Sequence, residues 1–382
     1  MNKFETIIIG AGISGIGCAK TLLDNDYEDF KIISSNIGGR ILESGEDTVE
    51  YGAYYVMNNY HHVKQYMTIK RKIKISDLVF HKDSKKYQLS IRKIIPLSFQ
   101  LVKLIFILLK FKRHYEKFKK NCECNSQITC FKKDKYLWNL YNTKSEDFIK
   151  KNKLYDIFYD YMAEVLHGSG FVPIKKLNAF TLLHFSLPLI LNIYEFNFKD
   201  IEVEKLLRDK FIKDIIVKIK LEGTQYKILT QKNEVYYCKN LISALPPHIA
   251  KKLIGFKEEL REPVNVYMTH LQGEIKKECS VANYNLFDDS NPVLALALQK
   301  DGSYLFYSKD KNTDLYKYFN NYSIVEKKFW DPAFNIGGSN IVNFEQGENL
   351  YVIGDNNICG LEDSYIYGVY AGNEILKKPK IN

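Results

Sequence analysis

No stretch of this sequence is long and apolar enough to cross a bilayer. The most apolar run, Ile94 to Leu109, is interrupted by Pro96 and Lys103 and falls short of the ~20 residues a spanning helix needs. No His-Glu-x-x-His string occurs, and no ordered set of Ser, His and Asp. The histidines (His61, His62, His81, His114, His167, His184, His248 and His270) are scattered, so zinc-peptidase and serine-hydrolase chemistry have no support. The chain enters an apolar run almost at once, without the basic, apolar and small residues of a secretory leader. Cysteines are few and odd in number, the seven being Cys18, Cys122, Cys124, Cys130, Cys238, Cys279 and Cys359. Their scatter argues for reduced thiols in a cytosolic setting. Cys122, Cys124 and Cys130 cluster, but a charged helical segment separates them from His114, so no metal site is expected. Internal repeats and low-complexity linkers are absent.

What is present bounds the answer further. A chain of 382 residues can bury a large core and is expected to hold two domains. Its 46% hydrophobic and 14% aromatic content is that of a globular protein. The balance of 55 basic against 45 acidic residues gives +10, a weak pull on anionic partners. The simpler reading is a lysine-rich solvated surface, and no nucleic-acid partner is expected.

The first forty residues organise the rest. Phe4 to Ile9 is a short β-branched run that flows into Gly10-Ala11-Gly12-Ile13-Ser14-Gly15, then a helical pattern over Ile16 to Leu23. A second apolar run, Phe30 to Ile33, precedes Gly38-Gly39-Arg40. Strand, glycine turn, helix and strand in this order predict a dinucleotide-binding βαβ unit. Gly10 permits the turn, Gly12 lets the backbone approach a pyrophosphate, and Gly15 lets helix and strand touch. The helix start, with Ile13 and Ser14, offers N–H groups and a positive dipole end to phosphate. An acid is expected at the end of the second strand to hold a ribose. Ser34 and Ser35 stand there instead, with Asp29 and Glu43 flanking; Ser34 is the candidate ribose contact.

Further on, Ile94 to Leu109 leads into the basic stretch Lys110 to Lys120. The plainer reading is a buried helix followed by a basic amphipathic one. The sharper reading is a peripheral membrane contact from Ile94 to Lys120, apolar residues inserted and basic ones at the headgroups. Phe148 to Leu166 and Ala179 to Ile193 read as helices, the second broken by Pro188. From Asp200 the character changes. Val203 to Lys210 reads as a helix, with strands over Ile212 to Leu221, Gln225 to Thr230 and Val235 to Cys238. The apolar strand Leu241 to Leu245 is ended by Pro246-Pro247. Further strands are expected over Val264 to Leu271, Val293 to Leu298 and Tyr304 to Ser308, and a helix over Asp310 to Phe319. The apolar run Leu350 to Ile353 meets Gly354-Asp355, and a helical pattern runs from Ser364 to Leu376.

Taken in order, these motifs resemble the flavin-containing amine oxidase superfamily. Gly10 to Gly15 looks like its FAD pyrophosphate loop, and Gly38-Gly39-Arg40 like the motif whose arginine faces the phosphates. Glu50-Tyr51-Gly52-Ala53 resembles the segment beside the flavin, Leu241 to Pro247 the strand ending in a proline pair, and Gly354-Asp355 the C-terminal FAD motif. The resemblance implies an α/β fold in which a Rossmann-like FAD-binding domain (1–75, 200–260 and 336–382) is interleaved with an α+β substrate domain (76–199 and 261–335). It implies non-covalent FAD, since Cys359 lies away from the family's covalent attachment point. Gly52, Ala53, Gly354, Asp355, Ser364, Tyr365 and Val217, the last in the expected strand Ile212 to Leu221, join the cofactor-binding candidates.

For catalysis the resemblance implies hydride transfer from an amine-like small molecule to flavin N5, with reoxidation by dioxygen. Trp330 (or Phe334) and Tyr365 are placed as the aromatic cage. Asn265 stands where many family members carry a lysine near flavin N5; Lys276, Lys277 and Lys300 are the other lysine candidates. Two alternatives stay open, a desaturase or isomerase acting on a lipophilic substrate and a non-catalytic protein of the same fold.

Overall fold

A computed structural model describes residues 2–44, 49–53, 55–82, 85–88, 95–279 and 282–378. The chain opens with the strand Asn2–Gly12, whose Ile7, Ile8 and Ile9 are fully buried. A strand buried on both faces needs parallel neighbours covered by helices, and that is its setting. It pairs in parallel with Phe30–Gly38 on one side and Val235–Ser243 on the other. Phe211–Lys213 extends the sheet beyond Phe30–Gly38, and Leu350–Val352 extends it beyond Val235–Ser243, both in parallel. Glu345–Gly347 closes one edge, and the hairpin of Ile216–Glu222 and Gln225–Thr230 attaches antiparallel to Val235–Ser243.

A second sheet of seven strands contains Leu78–Lys82, Lys85–Tyr87, Tyr284–Phe287, Val293–Leu298 and Tyr304–Ser308, with two long strands, Glu262–Ile275 and Phe319–Gly337, at one side. The short strands Tyr55–Met57, Met67–Ile73 and Ile193–Phe198 form a third sheet. Helices from Ser98–Cys122 to Ala179–Ser186 supply the largest apolar cluster, built on Leu104, Phe111, Tyr115, Phe131, Tyr141 and Phe180.

Two helices matter most for the site. The glycine helix Ile13–Leu23 and the closing helix Leu361–Leu376 pack directly on each other. A Cβ on Gly368 would lie 2.0 Å from the Ser14 carbonyl oxygen, and one on Gly17 would lie 2.5 Å from that of Tyr365. Only glycine allows backbones this close, and the contact brings both helix N-termini to the same end of the sheet.

Several local expectations change in the tertiary setting. The strand expected over Ile212 to Leu221 is two strands, because Asp214 turns the chain out of the parallel sheet and into the antiparallel hairpin. The two runs Val235 to Cys238 and Leu241 to Leu245 belong to one strand, Val235–Ser243. Phe148 to Leu166 is interrupted where Lys153 adopts a left-handed conformation, φ 53°. Asp310 to Phe319 is not a helix beyond the single turn Leu315–Lys317, since Phe319 already begins a 19-residue strand held by Glu262–Ile275.

Candidate active site

The parallel strands end together, and the candidate cofactor residues gather there. Gly10 has φ +99°, a conformation costly for any residue with a Cβ. It lets the chain turn beneath the proline-ended strand, where the Ala244 amide donates to the Ile9 carbonyl at 2.8 Å. Gly15 closes the turn from above, for its Cβ would fall 2.0 Å from the Gly10 oxygen. Gly12 differs. Its backbone is ordinary (φ −73°, ψ 178°), and the nearest atom to a Cβ there is Gly39 Cα at 3.9 Å. Among the described residues no contact requires glycine at this position, and the open space lies at the helix mouth.

That mouth is the fit test for a diphosphate. Gly12 caps the glycine helix without any side-chain hydrogen bond, and Ile13 and Ser14 behind it are buried. Buried N–H groups at a helix start need an acceptor, and the dipole favours an anionic one. Among the described residues the buried Ser243 Oγ and Asn356 Oδ1, at the ends of neighbouring strands, also lack a partner. These features fit a bound dinucleotide.

Arg40 and Asp355 form the charged element. Arg40 Nη2 lies 2.6 Å from Asp355 Oδ1, and Nη1 donates to the Ala333 carbonyl at 2.9 Å. Burial works against the guanidinium charge, but the Asp355 carboxylate outweighs it and raises the Arg40 pKa. Gly354, at φ +119°, swings Asp355 into this position. Gly38 and Gly39 turn the chain into Arg40, and the Ala53 amide donates back to the Arg40 carbonyl at 3.2 Å. A Cβ on Gly52 would lie 1.9 Å from that same oxygen. Thus Gly38, Gly39, Arg40, Gly52, Ala53, Gly354 and Asp355, far apart in sequence, meet in one place.

The ribose candidate is set differently from a carboxylate. Ser34 Oγ donates to the Asn36 carbonyl at 2.9 Å, and Ser35 Oγ to Asn36 Oδ1 at 3.0 Å. Ser34 lies midway along the second strand, which runs on to Gly38, and pairs with Lys213; the strand end expected beside Ser34 is therefore four residues further on, though its hydroxyl oxygen can still accept. Val217 lies on the antiparallel hairpin with its side chain about half exposed, and no contact joins it to the cradle among the described residues.

At the second helix mouth, Gly360 caps the closing helix without a side-chain bond, and Ser364 is buried in its first turn. Tyr365 does not face an open pocket. Its ring stacks on His62 (centroids 5.5 Å, 19° between planes), and its hydroxyl lies 3.2 Å from that of Tyr66. Among the described residues no contact joins it to Trp330. The cage expected from Trp330 and Tyr365 is therefore not assembled: the Gly17 contact that locks the two helices also turns Tyr365 into the interior.

Sequence reasoning passed over the neighbours of this mouth. The Tyr115 hydroxyl donates to Asp363 at 2.6 Å and lies 3.2 Å from His184 Nε2. Burial lowers the His184 pKa to about 3, keeping the ring neutral, and raises that of Asp363. The Glu362 carboxylate accepts from the amides of His61, His62 and Val63. No local spacing marks these residues in the sequence; only long-range contact reveals them.

On the second sheet, Trp330 of Phe319–Gly337 is half-buried and pairs with Val266 of Glu262–Ile275. Phe334, next to the Ala333 carbonyl that anchors Arg40, packs against Phe171 (5.6 Å), which stacks on Tyr307 (5.4 Å). These rings form the aromatic wall nearest the charged pair. Asn265 sits at a bulge between Val264 and Val266 and is exposed, while Val266 is buried. Lys276 and Lys277 follow the far end of this strand.

Lys300 lines a cavity of about 190 Å³ with Glu50, Lys70, Arg71, Glu195 and Tyr284. Arg71 bonds Glu195 through Nε (3.1 Å) and Nη2 (2.8 Å), and reaches Asp77 through Nη1 (3.1 Å). Glu50 is 5% exposed; burial and its hydrogen bond to Glu43 push its pKa up to about 10. The folded state therefore holds a proton that the unfolded chain releases above the ordinary carboxylate range. This contribution weakens stability as pH rises from there towards 10, by at most about 1.4 kcal/mol per pH unit. Glu50→Gln, which can still donate to Glu43, is expected to stabilise the protein by about 2 kcal/mol at pH 8. Urea midpoints measured from acid to alkaline pH should converge at the acid end; parallel curves would refute the assignment.

No family model and no curated protein matches the sequence. Solved structures do match over the whole length. A putrescine oxidase bound to putrescine superposes with a TM-score of 0.68 at 10% identity, covering 98% of this chain and 99% of that one. The chain has the fold of putrescine oxidase. An oxidoreductase from Methanosarcina mazei follows the same course (TM-score 0.64, 15% identity, 98% of this chain and 100% of that one). So does a fatty acid isomerase from P. acnes that produces CLA (TM-score 0.68, 11% identity, 97% and 98%). The expected α/β, two-domain architecture is thereby established.

Proposed function

We propose that the protein is an FAD-dependent oxidoreductase that holds its cofactor non-covalently. The observation that carries this is the buried, uncapped helix mouth at Gly12, beside a charged pair formed by Arg40 and Asp355. The first-turn amides of the glycine helix would take the diphosphate, Arg40 would balance its charge, and Ser34 would meet the ribose. Asp355, Ser364 and the mouth of the closing helix would hold the ribityl and ring end. Burial pushes the Cys359 thiol pKa up, so it stays protonated and a poor nucleophile, in keeping with a non-covalent cofactor.

The bound flavin would accept a hydride from the substrate and pass the electrons to dioxygen. The chain's own part is to exclude water and orient the substrate. Phe334 and Phe171, both partly exposed, offer ring faces suited to an amine-like substrate, with the buried Tyr307 stacked behind Phe171, and the putrescine complex of a neighbour of this fold supports that class. A lipophilic substrate is the second reading. The outward apolar face of the helix Ser98–Cys122 favours it, as does the fatty acid isomerase among the structural neighbours.

A visible spectrum of the purified protein, followed anaerobically during additions of putrescine and then of an unsaturated fatty acid, tests the proposal. Bleaching by the diamine supports the amine reading, and bleaching by the fatty acid alone supports the second. A protein that stays colourless after incubation with FAD would overturn both and leave a non-catalytic fold.

A further inference from the structure

The helix Ser98–Cys122 has one inner and one outer face, and the outer face changes character half-way along. Its inner side chains Leu104, Leu108, Phe111, Tyr115 and Phe118 are buried in the main core, so the packing demand of the helix is met. Yet Phe99 is 81% exposed and Phe106 68%. With Val102 and Leu109, also exposed, they recur at three- and four-residue spacing and form one stripe. Ile95, in the turn before the helix, extends it. Ile94, where the expected membrane contact begins, lies outside the described residues.

Beyond Leu109 the same stripe continues through Lys110, Arg113, Lys117 and Lys120, all exposed. Among the described residues none of these four is paired with a carboxylate; Lys110 lies over the Tyr136 ring at 4.5 Å. One helix face is therefore apolar for its first turns and cationic for its last. Lys103 reaches the Asn152 carbonyl, and with Lys110 it edges a groove of about 480 Å³ otherwise lined by Phe99, Val102, Phe106 and Ile107. No described helix is long and apolar enough to cross a membrane.

We propose that this face docks on an anionic lipid bilayer, the helix lying in the interface plane. Phe99 and Phe106 enter the acyl boundary, while Lys110, Arg113, Lys117 and Lys120 rest over lipid phosphates. A second copy of the chain would cover the apolar half but set the cationic halves of two molecules of charge +10 without counter-charge. An anionic bilayer satisfies both halves at once. The proposal does not depend on a bound flavin.

The test is flotation of the full chain with phosphatidylcholine vesicles, with and without phosphatidylglycerol. Flotation with the anionic vesicles is expected at low salt, weakening as salt screens the headgroup attraction. Phe99→Ser with Phe106→Ser should lower the partition about tenfold while leaving the melting temperature unchanged, since both side chains face outward. Lys110→Gln with Arg113→Gln should weaken binding to anionic vesicles and leave the weak binding to neutral ones alone. Absence of flotation at low salt, or flotation insensitive to the phenylalanine pair, would overturn the proposal. So would a wild-type dimer in sedimentation that Phe106→Ser converts to monomer.

Discussion

Gly15→Ala should prevent the protein from folding, whereas Gly12→Ala should leave the fold intact and remove the cofactor. The two glycines are three residues apart in one motif, yet their surroundings are opposite. A methyl on Gly15 would sit 2.0 Å from the Gly10 carbonyl oxygen. Neither partner can give way: the helix is fixed by the glycine-mediated contact with the closing helix, and Gly10 by the Ala244 backbone 3.0 Å from its own Cβ position. The cost should exceed the ~1–3 kcal/mol typical of overpacking. Gly12 has a backbone that alanine adopts freely and no atom within 3.9 Å of a Cβ. There alanine should change stability by no more than about 1 kcal/mol, since the smaller entropy of the unfolded chain is offset by alanine's poorer performance at a helix N-cap. The methyl would, however, occupy the mouth where a diphosphate must meet the amides. Retention of FAD should fall by at least about tenfold, that is ~1.4 kcal/mol. The ratio of flavin to protein absorbance, with thermal melts of both variants, checks the pair. A Gly12→Ala protein that stays yellow would remove the diphosphate from this mouth.

Arg40→Ala should destabilise the protein by about 2 kcal/mol. Asp355 is 5% exposed and faces the guanidinium. Breaking a buried pair by deleting one partner typically costs ~3–5 kcal/mol, discounted here because the Arg40 side chain is one-third exposed. Left alone, the buried Asp355 carboxylate would lose its charge partner and one of its hydrogen-bond donors. Adding Asp355→Asn should recover most of the loss, since it removes the stranded charge. Arg40→Lys should recover only part, because Asp355 and the Ala333 carbonyl are held by two nitrogens of one planar fork. Denaturation of wild type, Arg40→Ala, Asp355→Asn and the double variant as a double-mutant cycle measures this; additive effects would mean the pair carries no coupling.

How much was legible in the sequence varies along the chain for physical reasons. The opening unit was readable because its constraints are local: an alternation of strand, glycine turn and helix within forty residues demands glycine at fixed offsets. Gly354-Asp355 was readable because a positive φ and a charge follow directly on an apolar strand. The aromatic cage was not. Tyr365 stands at the expected offset from Gly354, yet its ring is buried against Tyr66 and His62, a consequence of helix packing that no spacing records. Asn265 is another case, because its outward direction depends on a bulge between two strands nearly sixty residues apart in sequence.

The sequence by itself determined the strand–glycine turn–helix opening, the order of the glycine motifs and the absence of a membrane-spanning run, because each rests on neighbours in the chain. Only the tertiary structure decided which glycines touch backbone and which guard open space. It also decided that Arg40 meets Asp355, and that one face of Ser98–Cys122 is core while the other stays apolar and exposed. Those outcomes depend on which surfaces meet when the sheets and helices pack, and chain order does not encode that proximity.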